Sequence, residues 1–242
     1  MEFFKSILLS ALLSGIVAGF ALTGLQTLKV YPLIFAAEVF EDAGQTDTGH
    51  AHDQGTKVAA GQHYDEAEDW SPTDGAERLL FSLLANVLLG VALGAILATI
   101  FSLRRVGDWR QGVIWGLAGF VAVHLAPAFG LPPELPGMPA GELLARQTWW
   151  LATALLTAGG IALVFLTSTM PWRIAGVAMI VLPQIYGAPH PATMASGVPA
   201  TLAADFATAS LGTNFVFWTI LGLLTAVAMA RLGQGDRSPE LA

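Results

Sequence analysis

A chain of 242 residues that is 54% hydrophobic and only 12% charged carries about half the charge of a soluble domain, which reads as an integral membrane protein. Its formal charge of −7 comes mostly from one hydrophilic stretch and describes that stretch rather than the whole surface. Zero cysteines exclude disulfides and thiolate metal ligation, and the lack of a basic patch outside short turns excludes nucleic-acid binding.

The chain opens with an apolar segment over residues 5–30 that lacks a small-residue cleavage site, so it is expected to be a retained helix rather than a signal peptide. Tyr31-Pro32 allows a bend, and residues 33–40 read as a helical continuation at the interface. Residues 41–77 form a long acidic loop containing His50, His52 and His63, with the low hydrophobicity of a partly disordered stretch. Ser71-Pro72-Thr73-Asp74 has the residues of a helix start: a capping hydroxyl, a proline and an acid for the helix dipole. A second span covers 79–103, followed by the basic turn of Arg104, Arg105 and Arg110.

The third span, 112–129, has no formal charge and one imidazole, His124. Gly112 and Gly116 stand one turn apart and invite close approach of a neighbouring helix. Pro127 frees a carbonyl one turn below itself, near His124. A proline-rich loop follows, with a helix start expected at Pro139 and a fourth span over 149–167, whose Trp149 and Trp150 read as an interfacial belt. Met170 to Arg173 reads as a tight turn, and 174–186 as a short fifth span broken near its end at Pro183-Gln184. A small amphipathic helix over 199–209 and a sixth span over 213–230 complete the chain.

The expected architecture is therefore all-α: one polytopic transmembrane bundle over 1–242, with six spans, or five if the fifth only re-enters. Six spans with both termini in the cytoplasm put Lys5, Arg104, Arg105, Arg110, Arg173, Arg231 and Arg237 inside, as the positive-inside rule expects. Lys29, Lys57, Arg78 and Arg146 then fall outside, together with fourteen of the eighteen acids and the 41–77 loop, which becomes periplasmic.

That topology gives the polar side chains a depth. Gln26, Asn86, His124, Gln184 and Asn214 all fall in the outer half of their spans, with His124 roughly 18 Å above the inner end of its helix at 1.5 Å per residue. His190, held between Pro189 and Pro191, lies just beyond. A polar vestibule of these groups suits a divalent first-row cation, which neutral imidazole binds and amide oxygens pass on. The competing interpretation is ordinary hydrogen bonding between helices. His50 and His52, one residue apart, with His63 nearby, are a second candidate metal-binding group. There is no G-x-x-x-x-G-K-[ST] loop and no H-E-x-x-H motif, and the chain is read as a non-enzyme that hydrolyses no ATP.

Several strings carry a resemblance across nearly the whole chain: Trp70-Ser-Pro-Thr-Asp74-Gly75-Ala-Glu77-Arg78, Trp115-Gly116-Leu-Ala-Gly119-Phe120, Gly130-Leu-Pro-Pro-Glu134-Leu-Pro-Gly137, Arg146-Gln147-x-Trp149-Trp150 and Gly187-Ala-Pro-His190-Pro. They resemble the CbtA family of bacterial cobalt transporter subunits. The resemblance implies a multi-pass inner-membrane protein that takes part in cobalt uptake for cobalamin synthesis. It implies Co2+ as the transported ion, no resident cofactor, and a small single-span CbtB-like partner with a histidine-bearing tail. The residues themselves do not separate cobalt from nickel. They also leave open a membrane scaffold that stabilises a small partner and has no metal path of its own. The family is commonly described with five crossings and with loops richer in histidine than this one.

Overall fold

The computed structural model describes residues 2–48, 72–73, 75–191 and 195–235, and every element it shows is a helix. These are α1 (Glu2–Lys29), α2 (Tyr31–Thr48), α3 (Ala76–Arg104), α4 (Trp109–Phe120), a π-helical turn (Val121–Leu125), α5 (Ala126–Ala128), α6 (Leu143–Leu166), α7 (Met170–Tyr186) and α8 (Ala200–Gly235). From α4 the helix runs without a break through the π-turn to Ala128. Among the described residues, five helical stretches are long and apolar enough to cross a membrane: α1, α3, the α4–α5 span, α6 and α8. The expected fifth crossing, α7, is shorter at 17 residues, roughly 25 Å at 1.5 Å per residue.

Local chemistry sets the helix ends, and several differ from the sequence-based expectation. Of the expected start of α3 at residues 71–74, Ser71 and Asp74 lie outside the described residues, and the helix is entered at Gly75 with no side-chain cap there. Gly75, at φ 96°, turns the chain into the helix, and the Thr73 N–H and hydroxyl both donate to the Glu77 carboxylate. The carboxylate of Glu142, not Pro139, begins α6, accepting from the N–H groups of Leu144 and Ala145 at 2.9 and 2.6 Å. Residues 170–173 are the first turn of α7, with Pro171 where a missing N–H costs nothing. Pro183 lies inside α7, and the helix persists to Tyr186, where Gly187 at φ 88° ends it. The small helix and the last span are one helix of 36 residues, because Gly212 and Thr213 interrupt no hydrogen bonding. Residues 41–48, expected in the loop, continue α2. His50, His52 and His63 lie outside the described residues.

Three antiparallel pairs build the bundle, and in each the backbones meet at glycine. Gly15 and Gly19 of α1 lie against Gly90, Val91 and Val87 of α3; a Cβ on Gly90 would sit 2.6 Å from the Gly15 carbonyl oxygen. The Gly112 and Gly116 positions of α4 face Gly222 of α8, as their spacing foretells. Gly160 of α6 meets Gly176 of α7, each Cβ position about 2.5–2.6 Å from the other's carbonyl oxygen. The buried core joins α1, α3, α4 and α8 through Leu22, Leu97, Phe101, Phe120, Phe217, Trp218 and Leu221. Within it Thr225 donates a hydrogen bond to Ser14 at 2.9 Å.

A second, smaller cluster closes one end. Val30 and Ala37 pack with Leu135 of the proline-rich loop and with Val198 and Phe206 at the start of α8. Arg78 of α3 reaches Glu38 of α2 at 2.9 Å. The end of α7 arrives at this same end: Ala188 lies over Gly130, and Pro189 over Gly141.

Candidate functional site

At this end a cavity of about 630 Å³ lies between α5, α6 and α8, a size typical of small-ligand sites. Its wall begins with His124 and Pro127, continues through Pro132, Pro133 and Glu134 of the loop, and is completed by Arg146, Gln147 and Trp150 of α6 and by Ser210 and Asn214 of α8.

The π-turn positions His124. Pro127 has no N–H to give to the turn below, and the chain accommodates this by widening over Val121–Leu125, with the Ala126 N–H bonded back to the Val121 carbonyl. The imidazole stacks on Phe120, with ring centroids 6.2 Å apart and planes 12° apart, and meets the edge of Trp218. Trp218 Nε1 donates to His124 Nδ1 at 3.1 Å. Indole is only ever a donor, so Nδ1 must hold a lone pair, and in the neutral ring the proton sits on Nε2. As folded, His124 offers the cavity an N–H and has no second lone pair for a metal.

The cavity's carboxylate is also engaged. Glu134 and Arg146 form an ion pair at 2.5 Å, with about a quarter of each side chain exposed. The pair ties the proline-rich loop to the first turn of α6. Asn214 donates to the carbonyl of Ser210 at 2.9 Å, which leaves its own oxygen for the cavity. Among the described residues no group of three or more His, Asp or Glu side chains is placed to hold a metal.

The remaining sequence candidates are distributed. Gln184 donates across from α7 to the Ala126 carbonyl at 2.9 Å, so it braces the helix that carries His124. Asn86 donates to Gln26 at 2.7 Å and to Thr23 at 3.0 Å. That polar knot joins α1 to α3, and neither Asn86 nor Gln26 lines the cavity. His190 is exposed beside Gly141 and does not line the cavity. The structure therefore unites His124 with Asn214, puts Gln184 behind them and His190 nearby, and sets Asn86 and Gln26 apart. Trp149 is buried rather than belt-like, with its ring over Gly130, while Trp150 faces the cavity.

Sequence reasoning about polar depth missed Glu134, Arg146 and Gln147. The signal was present in another form, because the G-L-P-P-E-L-P-G and R-Q-x-W-W strings hold all three, and the fold presses those strings together. No curated protein and no solved structure gives a significant match to the chain. One family model does, described as "Probable cobalt transporter subunit (CbtA)", and it matches residues 4–230. The chain belongs to the CbtA family, and with five apolar helices of crossing length it is a multi-pass membrane protein.

Proposed function

We propose that this CbtA chain is the membrane subunit through which a cobalt uptake system passes its cation, entering at the end that holds the 630 Å³ cavity. The observation that carries the reading is the convergence of the two family strings with His124 and Asn214 on that one cavity. Both potential ligands in it are guarded. Glu134 becomes available to a cation when Arg146 moves away. Nε2 of His124 becomes available when Trp218 lets go of Nδ1 and the proton shifts across the ring. A guarded site binds weakly and releases readily, as conduction requires.

The wider arrangement follows the same reading. Six crossings, with α7 the shortest, put both termini and the basic turns at Arg104, Arg105 and Arg173 on the cytoplasmic side of a bacterial inner membrane. The antiparallel α6–α7 pair supports this count, because α7 returns the chain to the cavity end. The acidic loop with His50, His52 and His63 then concentrates Co2+ or Ni2+ in the periplasm, and His190 stands at the entrance. A small single-span partner of the CbtB kind completes the system, and no catalysis is involved.

The experiment is cobalt accumulation in cells expressing Glu134→Gln, His124→Ala or His190→Ala. Loss of a ligand or its orienting partner should reduce uptake by about tenfold or more at unchanged protein level. A second reading, a scaffold that steadies a partner without carrying metal, draws support from the engaged state of His124 and Glu134. It requires that purified protein bind no cobalt and that any loss of uptake track loss of protein.

A further inference from the structure

α6 and α7 form a wedge. They touch at Gly160 and Gly176, then part toward the cavity end around a second space of about 950 Å³. That space is bounded by Glu142, Trp149 and Thr153 of α6, by Pro183 and Tyr186 of α7 and by Pro189 beyond it. Two turns separate Gly160 from Thr153, so the face of α6 that meets α7 is the one that carries Thr153 and, one turn further on, Trp149. Thr157 does not line the space; it follows Thr153 by one turn of α6, roughly 12 Å deeper than Trp149 at 1.5 Å per residue.

The hydroxyls of Thr153 and Thr157 and the indole of Trp149 differ from most polar side chains on these helices, because most helical threonines elsewhere find a partner, Thr213 at the Ser210 carbonyl and Thr225 at Ser14 among them. Thr23, Thr27, Thr99, Thr148, Thr208 and Thr219 each give their hydroxyl to the carbonyl four residues back. Thr153 and Thr157 are fully buried, and among the described residues neither hydroxyl has a partner; nor does the indole N–H of Trp149, which is 6% exposed. Buried polar atoms in native proteins are normally satisfied, by protein or by water, so three unpartnered ones along a single helix, two of them lining one space, call for a partner such as water. The backbone facing them is also irregular. Pro183 removes one N–H from the ladder of α7 and gives it a bending point.

We propose that the α6–α7 wedge is a hydrated cation path in its closed form: α7 swings about Pro183, and water with a hydrated divalent cation enters along Trp149, Thr153 and Thr157. Glu142 at the mouth supplies negative charge, and His190 follows Pro189 at the same rim. The cation as cargo rests on the transport reading above; the hydration does not.

The chain has no cysteine, so single cysteines report without background. Thr153→Cys and Thr157→Cys, in the full chain in native membranes, are treated with a cationic aminoethyl and an anionic sulfonatoethyl methanethiosulfonate. Leu155→Cys, on a residue 64% exposed on the apolar outside of the bundle, is the control. Only the thiolate reacts, and a thiol in an apolar setting stays neutral, so both threonine sites should be modified about tenfold or more faster than the control. The cationic reagent should be the faster of the two. Rates equal to that of Leu155→Cys overturn the wedge, and equal rates for the two reagents overturn its cation preference. If Thr157→Cys accumulates poorly, Thr153→Cys, nearer the mouth, decides. Labelling in a chain that moves no cobalt keeps the wedge and removes the transport reading; cobalt uptake without labelling does the reverse.

Discussion

The imidazole of His124 is governed by a residue 94 positions away in sequence. Trp218 holds Nδ1 as an acceptor and so turns a potential ligand into a donor. Replacing it with phenylalanine keeps a ring on Phe120's neighbour and removes the N–H. Trp218→Phe is therefore expected to raise the cobalt affinity of the purified protein by about tenfold, roughly 1.4 kcal/mol, in a calorimetric titration. Unchanged binding in Trp218→Phe would mean that His124 is not where cobalt sits. The Glu134–Arg146 pair gives a second test at this scale. Glu134→Gln leaves a half-buried guanidinium without its counter-charge and should cost about 1–3 kcal/mol in detergent unfolding. The swap Glu134→Arg with Arg146→Glu should recover part of that loss, whereas a merely local packing role would make the double change worse than either single one.

Among the elements, the glycines divide into two kinds that composition does not distinguish. On α1, a Cβ at Gly15 would fall on the backbone of Gly90 and Val91, whereas one at Gly24 would meet nothing within 4 Å. Gly15→Ala should then destabilise by about 1–3 kcal/mol through overpacking, and Gly24→Ala should stabilise by about 0.5–1 kcal/mol through helix propensity. Thermal unfolding of the two variants side by side checks this; equal shifts would show that α1 and α3 are not in backbone contact. The Gly112 and Gly116 pair was legible in the sequence because its spacing matches one turn and its segment is free of charge. The partner was not: no second glycine stands one turn from Gly222 on α8, and the small residue that does, Ala226, is one of many alanines in that helix, although it is the one that meets Gly112.

The whole molecule was legible where local chemistry decides and hidden where distance does. Apolar length alone identified α1, α3, the α4–α5 span and α6, and the polarity of each short connection suggested an orientation. The fusion of the small helix with the last span escaped notice because the amphipathic stretch to 209 and the apolar stretch from 213 differ in polarity, and yet they lie within one helix. Half of the candidate site was readable as lone polar groups in apolar segments, namely His124 and Asn214. The other half, Glu134 with Arg146, sits in loop and helix-end positions where charge is ordinary, and only folding makes it part of a cavity. The crossing count is testable on the cysteine-free chain. Single cysteines at Gly107 and at Gly197, before and after the α6–α7 pair, should label from opposite faces of sealed vesicles if α7 crosses, because an odd number of crossings then separates the two sites. Labelling from one face would leave α7 as a re-entrant hairpin arm.

The pairing of α4 with α8 has a consequence for how the protein is made. The α1–α3 and α6–α7 pairs join segments that all precede α8 in the chain, whereas the glycine face of α4 and the ring of His124 find their partners only on α8. Until α8 inserts, the wall bearing Ser210 and Asn214 does not exist. The cavity is thus completed only when α8 takes its place against α4 and the π-turn, and His124 gains its indole partner in the same step.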